Sequence, residues 1–163
     1  MATKTDFAAD EWTQLLRAPG WASIAVAAAS PSGPLGLVKE MFAAGKVIAD
    51  AKVHGGQNGL VEAVVAELTS SEGRHAAQPT EVSGKSPDEV RARAVAALAE
   101  AAALLDRKAG ADALPFKQWL AAIATKVAEA AKEGGFLGIG GVRVSDAEAQ
   151  TLTAIRSALG VSS

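Results

Sequence analysis

The residues with the least ordinary chemistry lie in one stretch, GGFLGIGGVRV, from Gly134 to Val144. Five of its first eight residues are glycine, interleaved with Phe136, Leu137 and Ile139. The stretch runs directly into Ser145-Asp146-Ala147-Glu148, a capping-box helix start. Glycine-rich turns before a helix N-terminus can present backbone N–H groups to an anion. Gly135, Phe136, Gly138, Gly140, Gly141 and Arg143 are therefore the candidate ligand-binding residues, with Arg143 adding a positive charge. The order G-x-x-x-x-G-K-S/T of a phosphate loop is absent, and no strand precedes the glycines as a dinucleotide fingerprint requires. A packing role competes with the ligand role. Phe136, Leu137 and Ile139 would plug a helical core while glycine permits close approach and positive φ.

Other groupings carry less. Asp50 and His54 are four apart and would share a helix face, but two ligands do not make a metal site, and no metal is expected. His54 reads more simply as a helix-end residue near terminal carbonyls, and His75 as solvated in a polar loop. The nucleophile elbow G-x-S-x-G is absent, and any Ser–His–acid triad would have to use one of these two histidines. Glu129 and Glu133 sit one turn apart beside Lys126 and Lys132, as on a solvated face. Glu40, next to Met41 and Phe42, is the one acidic residue expected to be partly buried. No catalytic residue and no cofactor is assigned.

The totals narrow the field further. The 163 residues contain no Cys and no Tyr, so disulfides, thiolate metal sites and Cys nucleophiles are excluded. The chain carries 16 basic and 18 acidic residues without a basic arm, which argues against nucleic acid as a partner. The N-terminus MATKTDFAADEW lacks a signal-peptide pattern, and the absence of Cys fits a reducing cytoplasm. The interval between Arg17 and Lys39 is uncharged, but SPSGP interrupts it, so no membrane span is expected.

These residues must be positioned by helices. Of the 163 residues 38 are Ala, the best helix former, and Gly and Pro cluster between periodic segments. The pattern predicts a helix from about Ala8 to Ala18, ended by Pro19-Gly20, and a separate, fully surrounded helix over Trp21–Ser30. Further helices are predicted over about 35–53, 59–69 and 86–107. Another opens at Asp112 and ends at Gly134-Gly135, and the last follows Ser145. Ser70–Lys85 reads as a flexible polar loop, and Glu89–Arg93 as a surface ion pair.

The strings EWTQLLRAP, KEMFAAGK and KEGGFLGIGGVRVSDAE resemble a group of small uncharacterised bacterial all-helical proteins along most of the chain. That resemblance implies no activity. A weaker, fold-level similarity is to tellurite-resistance-type helical domains, whose helices open after an acidic, glycine-containing turn. Here the early turn Ser30–Pro34 lacks acidic residues, so a metal-linked role does not carry over.

The expectation is a single all-α domain over residues 1–163, a compact antiparallel helical bundle of six or seven helices. A polar loop falls at about 70–85 and a glycine-rich connector at 134–144. The expected role is a non-catalytic cytoplasmic binding or scaffold protein, with a protein partner or a second copy as candidate partners. The alternatives are a small-ligand or anion binder using 134–143, and an enzyme with an unrecognised site.

Overall fold

Alanine-rich segments bounded by capping residues and glycines fold here as helices packed through their small faces. The computed structural model describes residues 1–30, 45–46, 48–49, 58–79, 82, 85–133 and 144–162. The described residues form six α-helices and no strand. They are α1 (Ala9–Ala29), α2 (Gly59–Leu68), α3 (Ser71–Ala76), α4 (Pro87–Lys108), α5 (Ala113–Glu133) and α6 (Asp146–Leu159). The helix expected over 35–53 falls largely outside the described residues, although 45–46 and 48–49 are helical.

The first helix departs from expectation. Pro19-Gly20 does not end it, and residues 9 to 29 form one continuous helix with Pro19 inside. Proline removes the N–H that would reach the Leu15 carbonyl and costs about 3 kcal/mol in a helix interior. Burial offsets that loss. Leu15, Ala22, Ala25 and Val26 are fully buried, and Leu16, Ala18 and Trp21 nearly so, on a face that continues across the proline. The Ser23 hydroxyl donates to the Pro19 carbonyl at 3.0 Å. Helix α1 packs against all five other helices, most extensively against α4.

The caps of the later helices follow the sequence signals. Ser86 Oγ accepts from Glu89 N–H, and the Glu89 carboxylate receives the Ser86 N–H at 2.8 Å. Glu89 is thus engaged in its capping box, and Arg93 lies instead 3.8 Å from Glu100. Ser145 and Glu148 make the same reciprocal pair at the start of α6. Asn58 caps α2 by accepting from Leu60 and Val61 N–H, both at 3.0 Å. Its amide also donates to the Asp112 carbonyl at 3.1 Å. The Asp112 carboxylate, expected to cap α5, accepts from Ala2 N–H at 2.6 Å and so pins the N-terminal segment. Gly160 ends α6 with φ 67°, the left-handed conformation that glycine adopts freely.

The expected polar loop contains helix α3. Ser70 Oγ caps it by accepting from Gly73 N–H at 2.9 Å, with Glu72 in its first turn and Arg74 and His75 in its last. Gly73 is required by close approach, because a Cβ there would lie 2.6 Å from the Glu67 carbonyl carbon. Glu67, near the end of α2, also gathers the N-terminal segment. It accepts from Trp12 Nε1 at 2.8 Å and from Lys4 Nζ at 2.9 and 3.0 Å.

Two glycines should therefore respond oppositely to alanine. A Cβ at Gly20 would meet only ordinary contacts at 3.8 Å. Gly20→Ala is expected to gain about 0.5–1 kcal/mol of helix stability. Gly73→Ala should lose about 2 kcal/mol or more through overpacking against Glu67. Urea unfolding midpoints of the two variants read both signs. The Glu67 cluster predicts acid lability. Burial alone would raise the Glu67 carboxyl, but the hydrogen bonds from Lys4 and Trp12 outweigh it and hold the group below its ordinary value of 4.5. A carboxyl lowered in the folded state stabilises above its unfolded pKa, and that stability is lost as pH falls through the folded value. Unfolding free energy should thus drop below about pH 4.5, and Glu67→Gln should make the acid limb shallower in pH-dependent denaturation.

Candidate functional site

The glycine-rich candidate residues Gly135, Phe136, Gly138, Gly140, Gly141 and Arg143 lie outside the described residues, as do Glu40, Asp50 and His54. The structure resolves where that stretch meets α6. Glu148 is buried there, its Oε2 accepting from Ser145 N–H and Oγ–H, and its Oε1 has no hydrogen-bond partner. His75 is exposed on α3, and Glu129 pairs with Lys126 at 3.1 Å. Among the described residues no three His, Asp or Glu side chains converge as metal ligands, and no helix is long and apolar enough to cross a membrane.

The structure instead assembles polar side chains in a groove between α1 and α4. Its volume is about 440 Å³, and it is lined by Ala9, Asp10, Thr13, Gln14, Arg17 and Trp21 from α1 and by Arg93, Ala97 and Glu100 from α4. The α1 residues fall at spacings of three, four and seven, one stripe of a helix that runs through Pro19. Arg93, Ala97 and Glu100 form the matching stripe on α4. The buried Trp21 and Ala97 make an apolar floor beneath charged groups. The Arg93 guanidinium lies over the Trp21 ring at 5.4 Å from its centroid, a cation–π contact.

The polar atoms of the groove differ in how they are engaged. Arg17 donates from Nε to the Ala76 carbonyl at 3.0 Å, which ties α1 to the end of α3 and fixes the guanidinium. Among the described residues its two Nη groups have no acceptor, and neither the Gln14 amide nor the Asp10 carboxylate has a partner. The Thr13 hydroxyl is used within its own helix, donating to the Ala9 carbonyl at 2.9 Å. Outside the groove lining, Glu11 accepts from Ala8 N–H at 2.8 Å and from Lys108 Nζ at 2.5 Å. Those two donors hold its carboxyl below the usual range, the Lys108 bond first. The arrangement offers charge, directed donors and an apolar floor, which suits recognition of a small polar molecule. No groove side chain is paired with another as nucleophile and base.

A second cavity of about 630 Å³ lies against α2 and α3. It is more apolar, with Ile48, Val65, Leu68, Ala77 and Pro79 in its lining and Arg74 at its edge. It borders segments outside the described residues and offers little directed hydrogen bonding.

Sequence reasoning missed the groove because it broke the first helix at Pro19. The break separates Trp21 from Asp10, Gln14 and Arg17, so the four share no stripe. The available signal was the spacing 10, 14, 17, 21, legible only once the helix is carried through the proline. Arg93 was likewise hidden by its i, i+4 relation to Glu89 on one exposed face. No protein-family model, no curated protein and no solved structure matches the chain.

Proposed function

We propose that this chain is a non-catalytic binding protein whose recognition site is the groove between α1 and α4. The observation that carries the reading is Arg17, held in place through Nε by a backbone carbonyl while both Nη groups face no acceptor among the described residues. A guanidinium fixed on one edge presents its remaining donors at little further entropic cost, which is how a preorganised site gains affinity. Trp21 and Arg93 extend the site with an apolar surface and a guanidinium already engaged by the Trp21 ring and Glu100.

The reading includes one domain over residues 1–163 built as an antiparallel bundle. Cross-helix pairs support that arrangement. Glu11 reaches Lys108 while Trp21 lies under Arg93, so α1 and α4 run in opposite senses. Arg156 reaches Thr125, and Lys117 lies beside Gly160, which gives the same relation between α5 and α6. A cytoplasmic setting is part of the same proposal and rests on the absence of Cys.

The test is two-dimensional amide NMR of the full chain against a panel of small polar metabolites. Binding is expected to move the resonances of Gln14, Arg17, Trp21, Arg93 and Ala97. Shifts concentrated in residues 134–143, with the groove unmoved, would contradict this site and return the function to the glycine-rich connector.

A further inference from the structure

We infer that the groove takes a small organic monoanion, with a carboxylate received by Arg17 and a flat apolar body lying toward Trp21 and Ala97. This inference rests on the groove being the binding site and adds the chemical class of the ligand.

Charge accounting within the groove leads to that class. Arg93 is engaged, 3.8 Å from Glu100 and over the Trp21 ring, so this pair is not counted as free charge. The remaining charges are Arg17 and Asp10, neither paired with an opposite charge among the described residues. They are seven residues apart on α1, so about 10.5 Å separates them along the axis. The two charges therefore define two ends of the groove rather than one ion pair. At the Arg17 end, the planar guanidinium is oriented by its bond to Ala76 and offers donors suited to two carboxylate oxygens. Gln14, three residues before Arg17, places an unused amide on the same stripe. At the other end, the Asp10 carboxylate repels a second negative charge. An anion with one charge fits this pattern, and a longer dianion does not. The floor supplies carbon surface from Trp21 and Ala97, each only 5% exposed, with the Arg93 guanidinium over the Trp21 ring. A groove of about 440 Å³ accommodates a single-ring molecule.

The experiment titrates the isotope-labelled full chain separately with benzoate, benzylamine and phenyl phosphate, and follows the Trp21 indole, Gln14 side-chain amide and Arg17 Nε–H signals. Benzoate is expected to move all three. Arg17→Gln should weaken benzoate about tenfold, the effect of losing one charge-assisted contact. Phenyl phosphate, doubly charged near neutrality, should bind more weakly than benzoate, and Asp10→Asn should narrow that difference severalfold. The Asp10 variant keeps the assignment testable if Arg17→Gln fails to fold, because the Asp10 side chain is exposed and has no partner among the described residues. Benzylamine moving the groove signals as well as benzoate would overturn the anion class while leaving the groove as the site. Phenyl phosphate binding more tightly than benzoate would overturn the carboxylate assignment in favour of phosphate. Benzoate affinity unchanged in Arg17→Gln would remove Arg17 from the site. No movement of the groove signals with any of the three probes overturns this inference, and the groove itself remains supported only if the metabolite panel moves it.

Discussion

Helix α1 carries a proline near its centre and still runs unbroken, because the residues on both sides of Pro19 belong to one buried face. Breaking the helix there would recover a backbone donor conflict of about 3 kcal/mol. It would also expose Leu15, Leu16, Ala22, Ala25 and Val26, all at or below 2% accessible. Burying a single large aliphatic side chain is worth about 1.5–3 kcal/mol, so several together outweigh the proline. Since α1 contacts each of the five other helices named above, its continuity sets where they can pack.

The alanine content follows from the same packing. Ala18, Ala22 and Ala25 on α1 and Ala94, Ala97 and Ala101 on α4 are all buried, at helical spacings. Small side chains at such positions let two helices approach closely, and interaxial distance follows the residues at the contact. The larger volume is concentrated in a few residues, with Phe116, Leu120 and Ile123 on α5 and Ile155 and Leu159 on α6 fully buried. Where the small faces of α1 and α4 end, longer polar side chains diverge and leave the groove. The groove thus lies along the most extensive helix pair. Arg17 couples it to α3 through Ala76, so the short helix and the groove share one bond.

Much of this fold was legible from local chemistry. The Ser86-Pro87-Asp88-Glu89 and Ser145-Asp146-Ala147-Glu148 starts announced α4 and α6, and the stripe Phe116, Leu120, Ile123, Val127 is buried as its spacing implied. Local signals failed where tertiary packing overrode them. Pro19-Gly20 reads as a stop, and only the burial summed over both flanks shows otherwise. Gly73 reads as a loop residue, whereas it is the one residue type that fits against Glu67 inside a helix. The groove depended on both α1 being continuous and α4 lying alongside it, neither of which is encoded in a short motif. The glycine-rich stretch stood out by composition alone, and composition does not report which polar atoms lack partners.

Continuity of α1 is open to direct measurement because the chain has no native cysteine. Paired nitroxide labels at Asp10→Cys and Ala28→Cys can be read by double electron–electron resonance. At about 1.5 Å per residue an unbroken helix separates these Cα atoms by about 27 Å. A single narrow distribution at that spacing, lengthened by the label arms, is the result expected. A distribution centred below about 20 Å would mean that the chain turns at Pro19, and would dismantle both the shared face of α1 and the groove built on it.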